Sequence, residues 1–511
     1  MTLSPFIRAR TVLEDRPVEV VLGLVTAVTL LRLILLFFYQ TSLGPDEAQY
    51  WFWSRDLDFG YYSKPPMIAW SIALPTAIFG DWTWSVRFLS PIFIGGTAMF
   101  LFATGRRLYG DGVGVWAALL WLFLPAVMLG ATIMSTDIPL LFFWSMALHF
   151  LVSLYHDGPF NARRNALGLG VALGLGMLSK YAMIYFAIGW GLSLLIVRDE
   201  RRGMPLKPGL FAVALAALIF APNIVWNITH GMQTLNHTAD NAHWDGNLLN
   251  PGSLLDFVGA QFGVFGPILF GAFLAGIVTL GARLRGAGEK RPADLLLLCF
   301  ALPPLLIICV QALLSRAHAN WAMAAYPAAS ILVTAWLLRW RARWGLWAAT
   351  ALHVAVGLFF TVLSLNFALA DRLGMSNEVK RLRGWDETAA QLRAAAEGFD
   401  AIIVDEREIA AHLTWEWRHD DVPLMVFDLN GQPDNTYEYA MGFEAQAGER
   451  YLLATQWSSL LCMYAGFAEI EPMGQSFVDL KATRRGRPER TIDLYAVSDY
   501  TPLRTPVCPP Q

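Results

Sequence analysis

Apolar runs of about twenty residues recur through the first three-quarters of this chain, and nothing else in the sequence limits its fold so strongly. A run of that length, wound as an α-helix, crosses the ~30 Å hydrocarbon layer of a bilayer while satisfying its own backbone hydrogen bonds. We place candidate spans at 18–39, 84–105, 112–132, 138–156, 165–180, 181–197, 209–228, 257–282, 293–314, 320–338 and 345–368. The apolar piece 67–80 is shorter and contains Pro75, so it reads as a helix lying along the interface. Composition agrees: 55% of the 511 residues are hydrophobic, 15% are charged, and the mean hydropathy is +0.43. The expected fold is mainly α, a polytopic membrane helical bundle of about eleven transmembrane helices plus interfacial helices.

Charge orients the bundle. Arg8, Arg10 and Arg16 precede an apolar stretch reaching Tyr39, too long for a signal-peptide core and without a small-residue cleavage site, so it reads as an uncleaved first span. With the N-terminus inside, the inner loops carry Arg106 and Arg107, Arg163 and Arg164, Arg198 to Lys207, Arg283 to Arg291, and Arg339 to Arg343. The opposite side holds scattered cations only: Arg55, Lys64, Arg87, Lys180 and Arg316. That alternation obeys the positive-inside rule and places everything after about residue 370 on the outer face. A net charge of −3 and a pI near 6.3 give no nucleic-acid footprint.

Residues 371–511 change character. Charge rises, and short β-rich pieces (AIIVDE, LMVFDL, YLLAT, TIDLYAV) replace the long apolar runs, with TAAQLRAAAEGF as an amphipathic helix before the first. We expect two domains: 1–370 in the membrane, with a first outer loop at 41–83, and 371–511 as an extracytoplasmic α/β domain. Cys462 and Cys508 lie in the second and either pair in an oxidising compartment or stay free; Cys299 and Cys309 read as packed thiols. The four cysteines form no CxxC pair, and we expect no metal and no cofactor.

The polar residues at outer span ends are the chemical candidates. Asp46 and Glu47 follow Pro45, which suits a helix start where acids complement the dipole. Lys64 stands before Pro65 and Pro66, a stiffened cation at the membrane surface, and Arg87 follows in the next outer segment. Asp137 sits at the mouth of a span, as a helix cap or a chemical group. Arg316 and His318, beside Trp321, either bind an anion or anchor the interface. The loop THGMQTLNHTADNAHWDGN holds His230, His237 and His243 without ligand-like spacing and reads as a lid. Asp56-Leu57-Asp58 looks like a metal-holding D-x-D but reads as the cap of the first-loop helix. Arg32 is a cation well inside the first span, either paired with another helix or snorkelling.

Taken in order, DEAQYWFWSRDLDFGYYSKPPMIAW, VRFLSP, STDIPLLFFW and LSKYAM resemble the polyprenyl-phosphate-sugar-dependent glycosyltransferases of the GT-C fold. Those relatives include aminoarabinose and galacturonic acid transferases of lipid A and core, and protein O-mannosyltransferases. The resemblance covers the spans to about residue 340, and its most specific part is the acidic first loop with Lys64-Pro65-Pro66. It implies an inverting transfer of a sugar from a polyprenyl-phosphate carrier to a lipid or glycan acceptor, such as lipid A or lipopolysaccharide core, at the outer face of a bacterial inner membrane. Such a reaction needs one carboxylate base for the acceptor hydroxyl and a cation for the phosphate leaving group, in contrast to the paired carboxylates of glycosidases. By resemblance Asp46 matches the base, Glu47 its support, Lys64 the phosphate ligand and Arg87 a second cation. Asp137 matches the second acidic loop. Relatives often carry a basic residue where this chain has Gln49, which would leave a phosphate contact to Lys180 or Arg316. A protein O-mannosyltransferase is the alternative within the fold. A transporter or flippase is the alternative outside it, and it would call for mid-span charges and repeated halves.

Overall fold

The computed structural model describes residues 16–158, 160–197, 205–240, 249–285, 291–428, 433–456, 464–481 and 489–502. Arg8, Arg10, His243, Cys462 and Cys508 lie outside them. The chain divides into two compact units, Met1–Phe37 with Leu57–Phe360, and Phe38–Asp56 with Thr361–Gln511.

Seven helices of the described residues are long and apolar enough to cross a membrane: Pro17–Leu36, Thr83–Tyr109, Asp137–His156, Leu206–Thr229, Pro292–Leu314, Ala319–Arg339 and Arg343–Leu365. Each falls on an expected span. The other four expected spans fall on helices that are shorter, less apolar or bent. Residues 112–132 form Asp111–Phe123 and Pro125–Gly130, because Pro125 has no N–H to continue the ladder. Arg32 answers the break: buried in the first helix, it donates to the Leu122 carbonyl, one of the acceptors left over at that helix end, and to Met128 Sδ at 3.3 Å. Residues 165–197 form Ala162–Ser179 and Ile184–Ile196, separated by an extended Lys180 and a 3₁₀ turn. The expected single span 257–282 is instead two helices, Pro251–Val264 and Pro267–Ala282, bent by 116°. Gly266 makes that bend with φ +88°, and His353 packs where a Cβ would stand. Met67–Phe79 is a helix of 13 residues, about 20 Å long at 1.5 Å per residue.

The core of this first unit is built on Trp121, Trp144, Phe186, Phe270, Phe300 and Trp336. One buried carboxylate ties three of its helices together. Asp294 accepts from Arg339 at 2.6 and 3.1 Å, from Tyr109 Oη at 2.8 Å and from Trp336 Nε1 at 2.9 Å.

The second unit carries a five-stranded sheet in the order β2-β1-β3-β5-β4, with β1 Ala401–Val404, β2 Leu424–Val426, β3 Arg450–Thr455, β4 Phe467–Asp479 and β5 Glu489–Tyr500. β2, β1 and β3 run parallel, and β3, β5 and β4 antiparallel. β1, AIIV, paired on both sides by parallel neighbours, is buried at every position, as an unbroken apolar run in a parallel sheet requires. The helix expected before it is Trp385–Ala395. Arg407–Glu416 follows β1. The first-loop helix Pro45–Trp53 belongs to this unit, packed on Arg407–Glu416 by an edge-to-face contact of Trp51 and Trp415 at 5.0 Å.

Candidate active site

Pro45 opens the helix of the acidic loop, with φ already fixed for the first turn. Glu47, three residues from the Gly44 cap, folds back so that its Oε2 accepts the Gly44 N–H at 3.0 Å. That bond makes Glu47 a buried support of the helix start. Asp46 points elsewhere. Its side chain is 67% exposed, and its Oδ1 accepts from Arg407 Nη2. Arg407 Nε donates at the same time to Gln49 Oε1 at 2.7 Å. Asp46 and Gln49 are three apart and share one helix face, so a single guanidinium reaches both. Below the face, Trp53 Nε1 donates to Thr436 Oγ1 at 2.8 Å and Phe52 lies 5.3 Å from the Tyr437 ring, fixing the helix in its unit.

Arg407 owes its place to the end of β1. Asp405, the first residue past the strand, is buried, and its Oδ2 accepts from Thr455 Oγ1 at 2.6 Å and from the Tyr464 hydroxyl. Burial raises the Asp405 carboxyl above the ordinary carboxylate range, against the pull of those two donors. Its Oδ1 has no hydrogen-bond partner among the described residues.

The first unit holds the other candidates. Asp137 begins its helix, and its Oδ1 accepts from Lys180 Nζ at 2.7 Å while Oδ2 accepts from Asn320 Nδ2 at 2.8 Å. Lys180, expected as a spare phosphate ligand, thus has its charge engaged by Asp137, with the two side chains only 22% and 12% exposed. Extended Lys180 between two helices explains the reach. His318 immediately precedes the 3₁₀ helix that carries Asn320, with its ring 5.3 Å from Trp321. Arg316 lines an open cleft of about 580 Å³ with Asn250, Ser253 and Ser315. Lys64 is half-buried, and its carbonyl closes a turn with the Tyr61 N–H at 3.1 Å. Arg87 is buried at the end of the Thr83–Arg87 helix.

The remaining motifs make structural contacts. Asp58 accepts from Trp226 Nε1 at 2.6 Å, tying it to Leu206–Thr229. His230 stacks on Trp226 at 4.2 Å and His237 lies 5.5 Å from Tyr62. Two partners of the candidate residues escaped the sequence reading. Asn320 lies two positions from His318 in a stretch already singled out, so a donor beside the histidine was there to be noticed. Arg407 stands in a charged run, DEREIAAH, that gave no sign of a partner 361 residues earlier.

A many-helix membrane bundle, with a short acidic helix leaving it after the first span and a terminal α/β unit, is an architecture with known counterparts. The crystal structure of ArnT from Cupriavidus metallidurans bound to undecaprenyl phosphate matches it with a TM-score of 0.65 at 17% identity, over 94% of this chain and 99% of that one, a likeness of fold. The family model described as dolichyl-phosphate-mannose-protein mannosyltransferase matches residues 63–226. Lipid A galacturonosyltransferase RgtD of Rhizobium johnstonii is 34% identical over 442 residues, 84% of this chain and 90% of that protein. An undecaprenyl phosphate-alpha-4-amino-4-deoxy-L-arabinose arabinosyl transferase 2 of Pseudomonas fluorescens is 29% identical over 199 residues, 35% of this chain and 33% of its own length. The fold is that of the GT-C glycosyltransferases, with a small α/β unit at its C-terminal end. Within them, the chain belongs to the family that holds the lipid A galacturonosyltransferase of R. johnstonii.

Proposed function

We propose that this glycosyltransferase moves a galacturonic acid residue, with inversion, from a polyprenyl-phosphate carrier to lipid A. The reaction takes place at the outer face of the inner membrane, with the N-terminus cytoplasmic and the 371–511 domain periplasmic. The observation that carries it is the near full-length relationship to a protein named for that transfer. Arginine and lysine spread along alternate loops support the orientation.

Roles follow from what the chemistry needs. The acceptor hydroxyl loses a proton as it attacks the sugar carbon, and Asp46, an exposed carboxylate with one oxygen held, is the base. Glu47 supports it by fixing the helix start. A phosphate leaving group needs a cation and no general acid, a task for Lys64 with Arg87. Asp137, joined to Lys180 and Asn320, orders the second acidic loop, and Arg316 with His318 offers a further anion contact. A transfer to protein would use the same parts, so the acceptor decides between the two readings.

The test uses purified full-length protein with polyprenyl-phosphate-linked galacturonic acid and a lipid A fraction, read by the mass gained on the acceptor. Lipid A should gain one hexuronic acid, and Asp46→Asn should lose turnover by about three orders of magnitude or more while keeping its unfolding midpoint. Turnover retained in Asp46→Asn removes the base. Mass gained by an added protein fraction in place of lipid A removes the acceptor.

A further inference from the structure

We infer that Arg407 is a positioning residue for Asp46, so that the α/β unit holding both also sets the orientation of the base. This rests on Asp46 being the base. The geometry starts from β1, which is buried on both faces and ends at Val404. Asp405 pins the next turn through Thr455 and Tyr464, and Glu406 stays extended before Arg407 opens its helix. Arg407 therefore projects from the carboxyl end of a parallel strand, the edge from which α/β sheets present functional groups. Its anchor is rigid, as a residue that must aim another side chain requires.

The guanidinium then spans two groups. Nε holds Gln49, which is buried and cannot swing away, and Nη2 holds Oδ1 of Asp46. Nε and Nη2 are fixed in one plane, so gripping Gln49 dictates where the Asp46 carboxylate lies. One carboxylate oxygen is used by the grip and the second is left for the acceptor hydroxyl. Arginine stays protonated at any working pH, so it orients the base without competing for the proton. Stability does not account for the arrangement. An ion pair with Asp46 67% and Arg407 39% exposed contributes about 0–1 kcal/mol to folding. Its effect is in fixing one rotamer of a carboxylate that solvent would otherwise leave free to turn, and misorientation of a reacting group costs rate.

The experiment measures steady-state kinetics of full-length Arg407→Ala, Arg407→Lys and Gln49→Ala with the donor and acceptor named above. Arg407→Ala should lower kcat at least about tenfold with the donor KM within about twofold. Arg407→Lys should stay low, since an ammonium cannot bridge both partners, and Gln49→Ala should lose a smaller factor. Added guanidinium should restore part of the turnover of Arg407→Ala and none in Asp46→Asn, a response no purely structural role would give. Unchanged kcat in Arg407→Ala, or a raised donor KM with kcat kept, overturns the inference, the second outcome making Arg407 a ligand of the donor anion. Should Arg407→Ala not fold, Gln49→Ala and Arg407→Lys decide by the same readouts. If Asp46→Asn keeps its turnover, the base reading fails first and is recognised separately; if Asp46→Asn is dead and the Arg407 variants are normal, only this inference falls.

Discussion

At the scale of single residues, two acids identified as candidates have turned out to be differently employed. Asp46 is exposed with one cation at its side, while Asp137 is buried between Lys180 and Asn320. Removing a group with two partners in a shielded place strands both, so Asp137→Ala should cost about 1–3 kcal/mol. Lys180→Ala should cost less, because Asp137 would keep Asn320. The double variant should cost clearly less than the sum, since both remove the same bond; unfolding of the purified protein in detergent measures all three, and strict additivity would show the pair to be uncoupled. The positions themselves could be read in the sequence: carboxylates beside prolines at span ends announce helix starts. The partnerships could not. Lys180 meets Asp137 only because the chain breaks its helix there and extends, and Arg407 meets Asp46 only through the C-terminal sheet.

At the scale of elements, legibility followed hydrophobic pattern and failed where backbone geometry intervened. Long apolar runs placed the seven crossing-length helices within a few residues. They gave no warning that Gly266 would turn a continuous apolar stretch through 116°, since the turn depends on a positive φ and on His353 filling the glycine's open side. β4 was missed for the opposite reason. It is an edge strand of 13 residues, mostly exposed, with a register shift between Pro472 and Gly474, so it has neither an apolar run nor clean alternation. Arg32, ambiguous as a lone charge in a span, became intelligible once Pro125 had ended the neighbouring helix. The strongest element-level dependence is on Asp294, which holds Tyr109, Trp336 and Arg339 together. Asp294→Ala leaves a shielded guanidinium without its counter-charge and should destabilise the protein by about 3–5 kcal/mol, seen as a lowered unfolding midpoint. Arg339→Ala in the same background should add little.

For the whole molecule, the two units live under different physics: one has a surface suited to lipid, the other a conventional core whose buried titratable groups make it answer to pH. In the second unit, burial pushes the Glu416 carboxyl from 4.5 up to about 7, with Asp386 adding to the rise and Arg418 opposing it. Burial, helped by the positive Arg490, drives His412 well below 6.5 as it stacks on Trp385 at 3.7 Å. The signs are opposed. Glu416 keeps its proton in the folded chain after the unfolded chain has lost it, so its contribution to stability is whole below 4.5 and is lost as pH rises through about 7. His412 stays neutral when the unfolded chain takes up a proton, so its contribution is whole above 6.5 and is lost as pH falls. Between 4.5 and 6.5 these two slopes oppose each other. Glu416→Gln takes away one slope. Relative to the natural chain, that variant should gain stability steadily from pH 4.5 to about 7 and keep a constant advantage above. Unfolding of the full-length protein in detergent, followed across that interval, measures the difference; a pH-independent difference would mean that Glu416 titrates alike in folded and unfolded chains.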